Sequence, residues 1–185
     1  MKRRQREAIV AALDRKLDEN DSWCGETHVQ KSVFFLQELL GVPTNFDYIL
    51  YKFGPFSQEL RSELGFMRGD GFLQLVPQPA PYGPSLVVTD TAARQLLERW
   101  PRTLARYDRA LDFIASYLGG RGVGELERLA TALWVSRESV GADESVLAAR
   151  INELKPHVSI EAAREALRTV GEMQQEAVEA GLLAA

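Results

Sequence analysis

The sequence predicts a mainly α-helical, α+β fold, and three observations carry that expectation. Apolar residues recur at helical spacing along most of the 185 residues. The short β-favouring runs all fall before residue 100, in the order helix, helix, strand, helix, strand, strand. Beyond that point every apolar pattern has a helical period. The expected organisation is a unit of 1–100 with a small antiparallel sheet, joined to a helical part of 101–185 that packs on it or mediates self-association.

In 5–18, Ile9, Leu13 and Leu17 lie four apart and the pattern stops at Glu-Asn-Asp-Ser. A second helix is predicted from near Thr27 to a Gly41 cap, with Val29, Val33, Phe34, Leu36 and Leu40 forming a wide apolar stripe. The aromatic and β-branched run 46–53 predicts a strand with Phe46, Tyr48 and Leu50 on one face, broken at Gly54-Pro55. Ser57 is placed to cap a short helix carrying Leu60, Leu64 and Met67. Runs 72–76 and 85–89 read as a hairpin around the Pro-rich stretch 77–84.

Thr89 or Asp90 is expected to cap a helix through Ala92, Leu96, Leu97 and Trp100, which Pro101 interrupts or restarts. Leu104, Tyr107, Leu111, Ile114 and Leu118 mark a long helix, and the Gly-Gly-Arg-Gly at 119–122 marks a hinge. That glycine run is no phosphate loop, since no strand precedes it and no Lys-Ser/Thr follows. Helical patterns occupy 125–135 and 146–154, and Ser159 is expected to cap a last helix carrying Ala163, Leu167 and Val170. The tail beyond it is expected to dock or fray.

The order of elements before residue 100 is that of a winged helix-turn-helix, with the helix beginning at Ser57 in the groove-entering position and the Pro-rich loop as wing tip. On that reading Lys52, Arg61 and Arg68 contact phosphates while Gln58 and Ser62 meet base edges. Lys2, Arg3, Arg4 and Arg6 form a cationic cluster that reads as a phosphate-contacting arm or as a solvated terminus. Against strong groove binding stand Glu59 and Glu63 on the same helix, a net charge of −4 and a pI near 5.3.

Three segments carry a resemblance. Gln30-Lys-Ser-Val-Phe-Phe-Leu-Gln37, then Tyr51-Lys-Phe-Gly-Pro-Phe-Ser-Gln-Glu-Leu60 with the Gly71-Phe-Leu hairpin entry, and finally Leu154-Lys-Pro-His-Val-Ser159 with Ala162-Ala-Arg-Glu-Ala-Leu167, are similar to the YwgA-type family of prokaryotic winged-helix proteins. The Tyr-x-x-Gly-Pro-x-Ser-x-Glu-Leu stretch is the most specific part. The same Gly-Pro and Glu-Leu segment resembles, more loosely, Panacea-type antitoxin domains, whose fold serves protein neutralisation among other roles. Neither resemblance implies a catalytic residue.

Composition at 45% hydrophobic and 26% charged is that of a folded globular chain. No apolar run approaches the roughly 18 residues a bilayer span needs, so a cytoplasmic protein without membrane contact is expected. The lone Cys24 and the histidines His28 and His157 supply no disulfide and no zinc set; the histidines read as surface or capping residues and Cys24 as a free thiol. No nucleophile elbow or cofactor motif is found, so no catalytic, metal or cofactor residue is expected. Phe46, Tyr48, Tyr51, Phe53 and Phe56 read as core between strand and helices, with base stacking as the alternative. Tyr51, Gly54, Pro55, Phe56 and Ser57 form either a structural turn or a partner surface. The expected function is that of a non-enzymatic regulator contacting duplex DNA; the alternative is an adaptor or antitoxin-like module binding a protein partner, and a homodimer is compatible with either.

Overall fold

The protein is described by a computed structural model covering residues 1–80 and 83–183. Its elements are α1 (Arg3–Asp18), α2 (Glu26–Glu38), β1 (Ile49–Tyr51), β2 (Gly54–Phe56), α3 (Gln58–Gly69), β3 (Leu73–Val76), β4 (Ser85–Val88) and α4 (Asp90–Ala92), the last running into a π-helical turn, Ala93–Leu97. There follow α5 (Pro101–Leu118), α6 (Val123–Glu138), α7 (Glu144–Leu154) and α8 (Ile160–Glu179). Residues 81 and 82, at the expected wing tip, and 184 and 185, at the end of the tail, lie outside the described residues. Among the described residues no helix is long and apolar enough to cross a membrane.

Local chemistry sets several helix ends. The hydroxyls of Ser57, Thr89 and Ser159 accept the backbone N–H of Leu60, Ala92 and Ala162, so three free donors are satisfied where the sequence places a capping residue. Gly41, at φ +66°, closes α2: its N–H donates to Gln37 O and that of Val42 to Leu36 O. The helix expected through Trp100 is instead a short α4 with a π turn. Pro101 has no N–H and pushes the residue before it out of helical conformation, and Trp100 sits at φ −120°, ψ 45° before α5 restarts.

Helix α1 packs on α5, α2 on α5 and α6, and α8 against α6 and α7. The buried apolar residues from Ala8 to Ala177 form one cluster, so 1–100 and 101–185 share a core. The helical part packs on the first hundred residues through the fully buried Leu111, Ile114 and Leu118 of α5.

The hairpin expected from 72–76 and 85–89 is present as β3 with β4, and a second strand pair differs from expectation. The structure has two separate two-stranded sheets, β1 with β2 and β3 with β4, both antiparallel. Gly54-Pro55 does not end the 46–53 strand pattern; it is the return strand of a hairpin in which Tyr51 faces Gly54. Beside β4 lies the chain before α2: Gly25 bridges Ser85, and Leu86 N–H donates to Cys24 O at 2.8 Å.

The expected cationic arm is also not an arm. Arg3, Arg4 and Arg6 lie on α1 and face carboxylates: Arg4 meets Glu7 at 2.8 Å and Asp70 at 3.0 Å, and Arg3 and Arg6 meet Glu63 at 3.3 and 3.4 Å. Arg6 also stacks over Phe46 at 4.5 Å. These pairs join α1 to α3. Burial raises the carboxyl of the fully buried Glu7 above its ordinary range, against the lowering effect of Arg4.

His28 is fully buried, and not a surface or capping residue as the sequence suggested. Its Nε2 lies 2.8 Å from Leu118 O and its Nδ1 2.9 Å from Ser22 Oγ, which also accepts the Cys24 N–H. Burial lowers the imidazole pKa, so His28 is held neutral with Nε2 donating. Cys24 is a buried free thiol that donates to Asp14 O at 3.4 Å, and burial pushes its pKa up, away from thiolate chemistry.

Asp14 itself is buried, with Oδ1 lacking a hydrogen-bond partner among the described residues, and burial pushes its carboxyl up to about 8. A folded-state pKa above the unfolded value of about 4 gives stability that is full below that pH and lost as pH rises through 8. Asp14→Asn is therefore expected to stabilise the protein by about 2 to 4 kcal/mol near pH 7 and to leave it unchanged near pH 4. Urea titrations of both proteins at a series of pH values check this, and the titration of His28 cancels in the difference. Parallel pH profiles would contradict it.

Candidate functional site

Residues 51–57 form a hairpin turn whose backbone is held by side chains from distant elements. Gln30 of α2 grips Ser57 at both ends: its Nε2 donates to Ser57 O at 2.9 Å and its Oε1 accepts the Ser57 N–H at 3.0 Å. The ammonium of Lys31, next on α2, donates to Pro55 O at 2.7 Å. From the end of α7, Lys155 donates to Tyr51 O at 2.7 Å and to Lys52 O. All three side chains are buried.

Gly54 sits at the centre with φ +82°, a conformation that L side chains adopt only with strain. A Cβ there would lie 3.3 Å from Thr131 Oγ1 and 3.4 Å from Glu127 O, so α6 closes on the turn as tightly as glycine allows. Two ammonium groups beneath the turn face one buried carboxylate, Glu127, which lies 3.5 Å from Lys155 and 3.4 Å from the exposed His157. Burial first, and then repulsion from Lys155, lower the Lys31 pKa to about 8, with Glu127 opposing both.

The outer side of the hairpin is apolar and exposed. Ile49, Tyr51 and Phe53 are 59%, 60% and 54% exposed, an unusual state for three large side chains at alternate positions of one short segment. The core reading of the aromatic group holds for Phe46, which is buried, and for Tyr48, packed on Phe34 at 5.0 Å; it fails for Tyr51 and Phe53. Strand alternation puts Ile49 and Tyr51 on one face, Phe53 lies in the two-residue turn, and among the described residues no element covers the three. Tyr51 tilts against Phe56 at 5.9 Å, and Lys52 reaches over Phe53 at 5.2 Å.

A cleft of about 520 Å³ opens beside this face, lined by Ile49, Tyr51, Phe53 and Phe56 on one side and by Glu26, Lys31 and Arg61 on the other. A second, of about 630 Å³, lies between the hairpin and Lys155, Pro156 and His157 and shares Tyr51 and Phe53 with the first. The turn thus presents its apolar residues to two recesses whose walls carry paired charges.

The other expected contact residues are distributed differently. Gln58 and Arg61 border the first cleft, and Arg61 pairs with Glu26 at 3.5 Å. Ser62 donates its hydroxyl to Gln58 O. Arg68 is exposed and lines a groove of about 490 Å³ between α3 and the β3–β4 hairpin, together with Arg61. Lys2, Arg3, Arg4 and Arg6 belong to the α1 side, where the arginines are paired with carboxylates, and Lys52 is on the hairpin tip.

Sequence reasoning missed Lys31, Lys155 and Glu127. The available signal was polar residues inside a helix buried all round: His28, Gln30, Lys31 and Ser32 all lie within the buried stretch of α2. It also missed the exposure of Ile49 and Phe53, which depends on what packs against the hairpin.

In comparisons with known proteins, no family model and no curated protein sequence matches this chain.

Lys155→Met removes both hydrogen bonds to the 51–52 carbonyls and leaves Glu127 facing, among the described residues, Lys31 and His157. The expected loss is about 3 kcal/mol of stability, with faster amide exchange localised to the hairpin. Lys52→Met, at the exposed tip, is expected to change stability by less than about 0.5 kcal/mol. Chemical unfolding and hydrogen-exchange mass spectrometry of the two variants check the contrast, and equal effects would refute the clamp.

Proposed function

We propose that this chain is a non-enzymatic docking protein on a winged-helix-like scaffold, and that the β1–β2 hairpin receives an apolar, carboxylate-bearing segment of a partner protein. The observation that carries the reading is the exposure of Ile49, Tyr51 and Phe53 on a hairpin held by buried polar groups. Ordering entropy is prepaid on such a hairpin, so a partner gains the full burial of two aromatic rings. Charge bears on the partner's chemistry: Lys52 stands at the exposed tip over Phe53 with no carboxylate partner among the described residues, in a chain whose net charge is −4. The resemblance of this same segment to Panacea-type antitoxin domains agrees with protein docking.

A winged-helix-like description is supported by the order α1, α2, α3, β3, β4 and by the pairing of the chain before α2 with β4. A second reading, duplex contact through α3, is favoured by one observation: Arg61 and Arg68 both line the groove between α3 and the β3–β4 hairpin. The docking reading is placed first because Arg61 faces Glu26, and Arg3, Arg4 and Arg6 face Glu7, Glu63 and Asp70.

Selection of a random-peptide phage library on the purified protein is expected to enrich peptides combining aromatic or aliphatic residues with Asp or Glu. Calorimetry of an enriched peptide should show binding weakened at least about tenfold by Tyr51→Ala or Phe53→Ala. The exposed Val140→Ala should change nothing. Peptides that bind the Tyr51/Phe53 double variant as well as the native chain would overturn the proposal. Micromolar, salt-sensitive anisotropy with random duplex DNA, lost on Arg61→Ala with Arg68→Ala, would put the second reading in its place.

A further inference from the structure

A separate cleft of about 430 Å³ lies on the α6 side of α2, away from the groups that hold the hairpin. Its aromatic wall is continuous. Phe34 forms the floor, Trp134 of α6 stacks near-parallel to it with ring centres 6.2 Å apart, and Tyr48 meets it edge-on at 5.0 Å. Trp134 and Tyr48 are only partly buried, so the wall is open to a ligand.

The polar groups around this wall divide into two sets. Gln37, Glu38 and Arg137 are committed to one another and to the backbone. The Glu38 carboxylate accepts Gln37 Nε2 at 2.7 Å and pairs with Arg137 at 2.7 Å, and Gln37 Oε1 accepts the Phe46 N–H and the Thr44 hydroxyl. Asp47 and Glu138, both exposed, have no hydrogen-bond or ion-pair partner among the described residues. The Tyr48 hydroxyl is buried and likewise without a hydrogen-bond partner there, and burial together with the Glu38 charge keeps it protonated.

We propose that this cleft binds an organic cation, an ammonium or guanidinium group carried on a short apolar stem. The stem lies along the Trp134 and Tyr48 rings, whose π-faces attract a cation. The charged head meets the free carboxylates of Asp47 and Glu138, which line the cleft. Three carboxylates against one guanidinium in the lining disfavour an anion in the same place. The protein already seats one cation on the neighbouring ring, since the Arg6 guanidinium lies 4.5 Å above Phe46, another lining residue. The volume suits a small molecule or one long side chain, and 300 to 1,000 Å³ is the usual range of ligand clefts, roughly.

The test is an NMR titration that follows the Trp134 indole N–H, assigned by its absence in Trp134→Phe, with n-butylammonium, n-butylguanidinium and n-butyrate as probes. Saturable shifts with the two cations and none with butyrate are expected. Asp47→Asn with Glu138→Gln should weaken cation binding by about tenfold, and raised salt should weaken it as well. Both carboxylates are exposed, so this variant keeps the native melting temperature, which separates binding from folding. A lysine- or arginine-containing peptide that binds more tightly than its free amine counterpart identifies a protein side chain as the occupant; the reverse order identifies a small amine. No saturable shift with either cation, an equal response to butyrate, or unchanged affinity in the double variant would overturn the proposal.

Discussion

The backbone of residues 51–57 has too few strand neighbours to satisfy itself, and the groups that complete it come from helices far away in sequence. A two-stranded hairpin of three-residue strands is not stable in water. Gln30, Lys31 and Lys155 supply the missing donors and acceptor, and Gly54 leaves the space in which Thr131 and Glu127 of α6 and the Lys31 side chain lie against the turn. Segments far apart in the chain meet at this point: the Gln30–Lys31 pair, the Gly-Pro turn and Lys155. Their residues are explained by one geometric need, the immobilisation of a turn.

This arrangement favours conformational uniqueness over stability. Burying two ammonium groups with a single carboxylate is costly, and apolar replacements of similar volume often hold a fold equally well. What the polar clamp adds is direction: each bond fixes one carbonyl or N–H, so the hairpin has one register and one orientation. The exposed face of Ile49, Tyr51 and Phe53 is consequently presented in a defined shape. The joining of Lys155 to the 51–52 carbonyls also ties the end of α7 to the first hundred residues, in addition to the shared apolar core.

Much of the helical framework was legible because its signals are local. Ser57, Thr89, Ser159 and Gly41 act through neighbours three to six residues away, and the apolar stripes of α1, α2, α5 and α8 report which face meets the core. The hairpin was not legible, because Gly54-Pro55 carries the same local signal whether it ends a strand or begins its return. The lysines were not legible because a lysine in a helix is ordinarily solvated; only the arrival of α6 and of the hairpin over Lys31 buries it. Arg3, Arg4 and Arg6 read as a free cationic cluster since Glu63 and Asp70, their partners, are about sixty residues away. Each failure has the same origin: a charge or a turn whose meaning depends on a contact distant in sequence.

Backbone ¹⁵N relaxation of the free protein distinguishes a hairpin that is rigid before any partner arrives from one that orders on binding. The account predicts order parameters of about 0.85 for residues 49–56, equal to those of α2. Values below about 0.6 confined to that hairpin, with α2 and α6 remaining ordered, would contradict it.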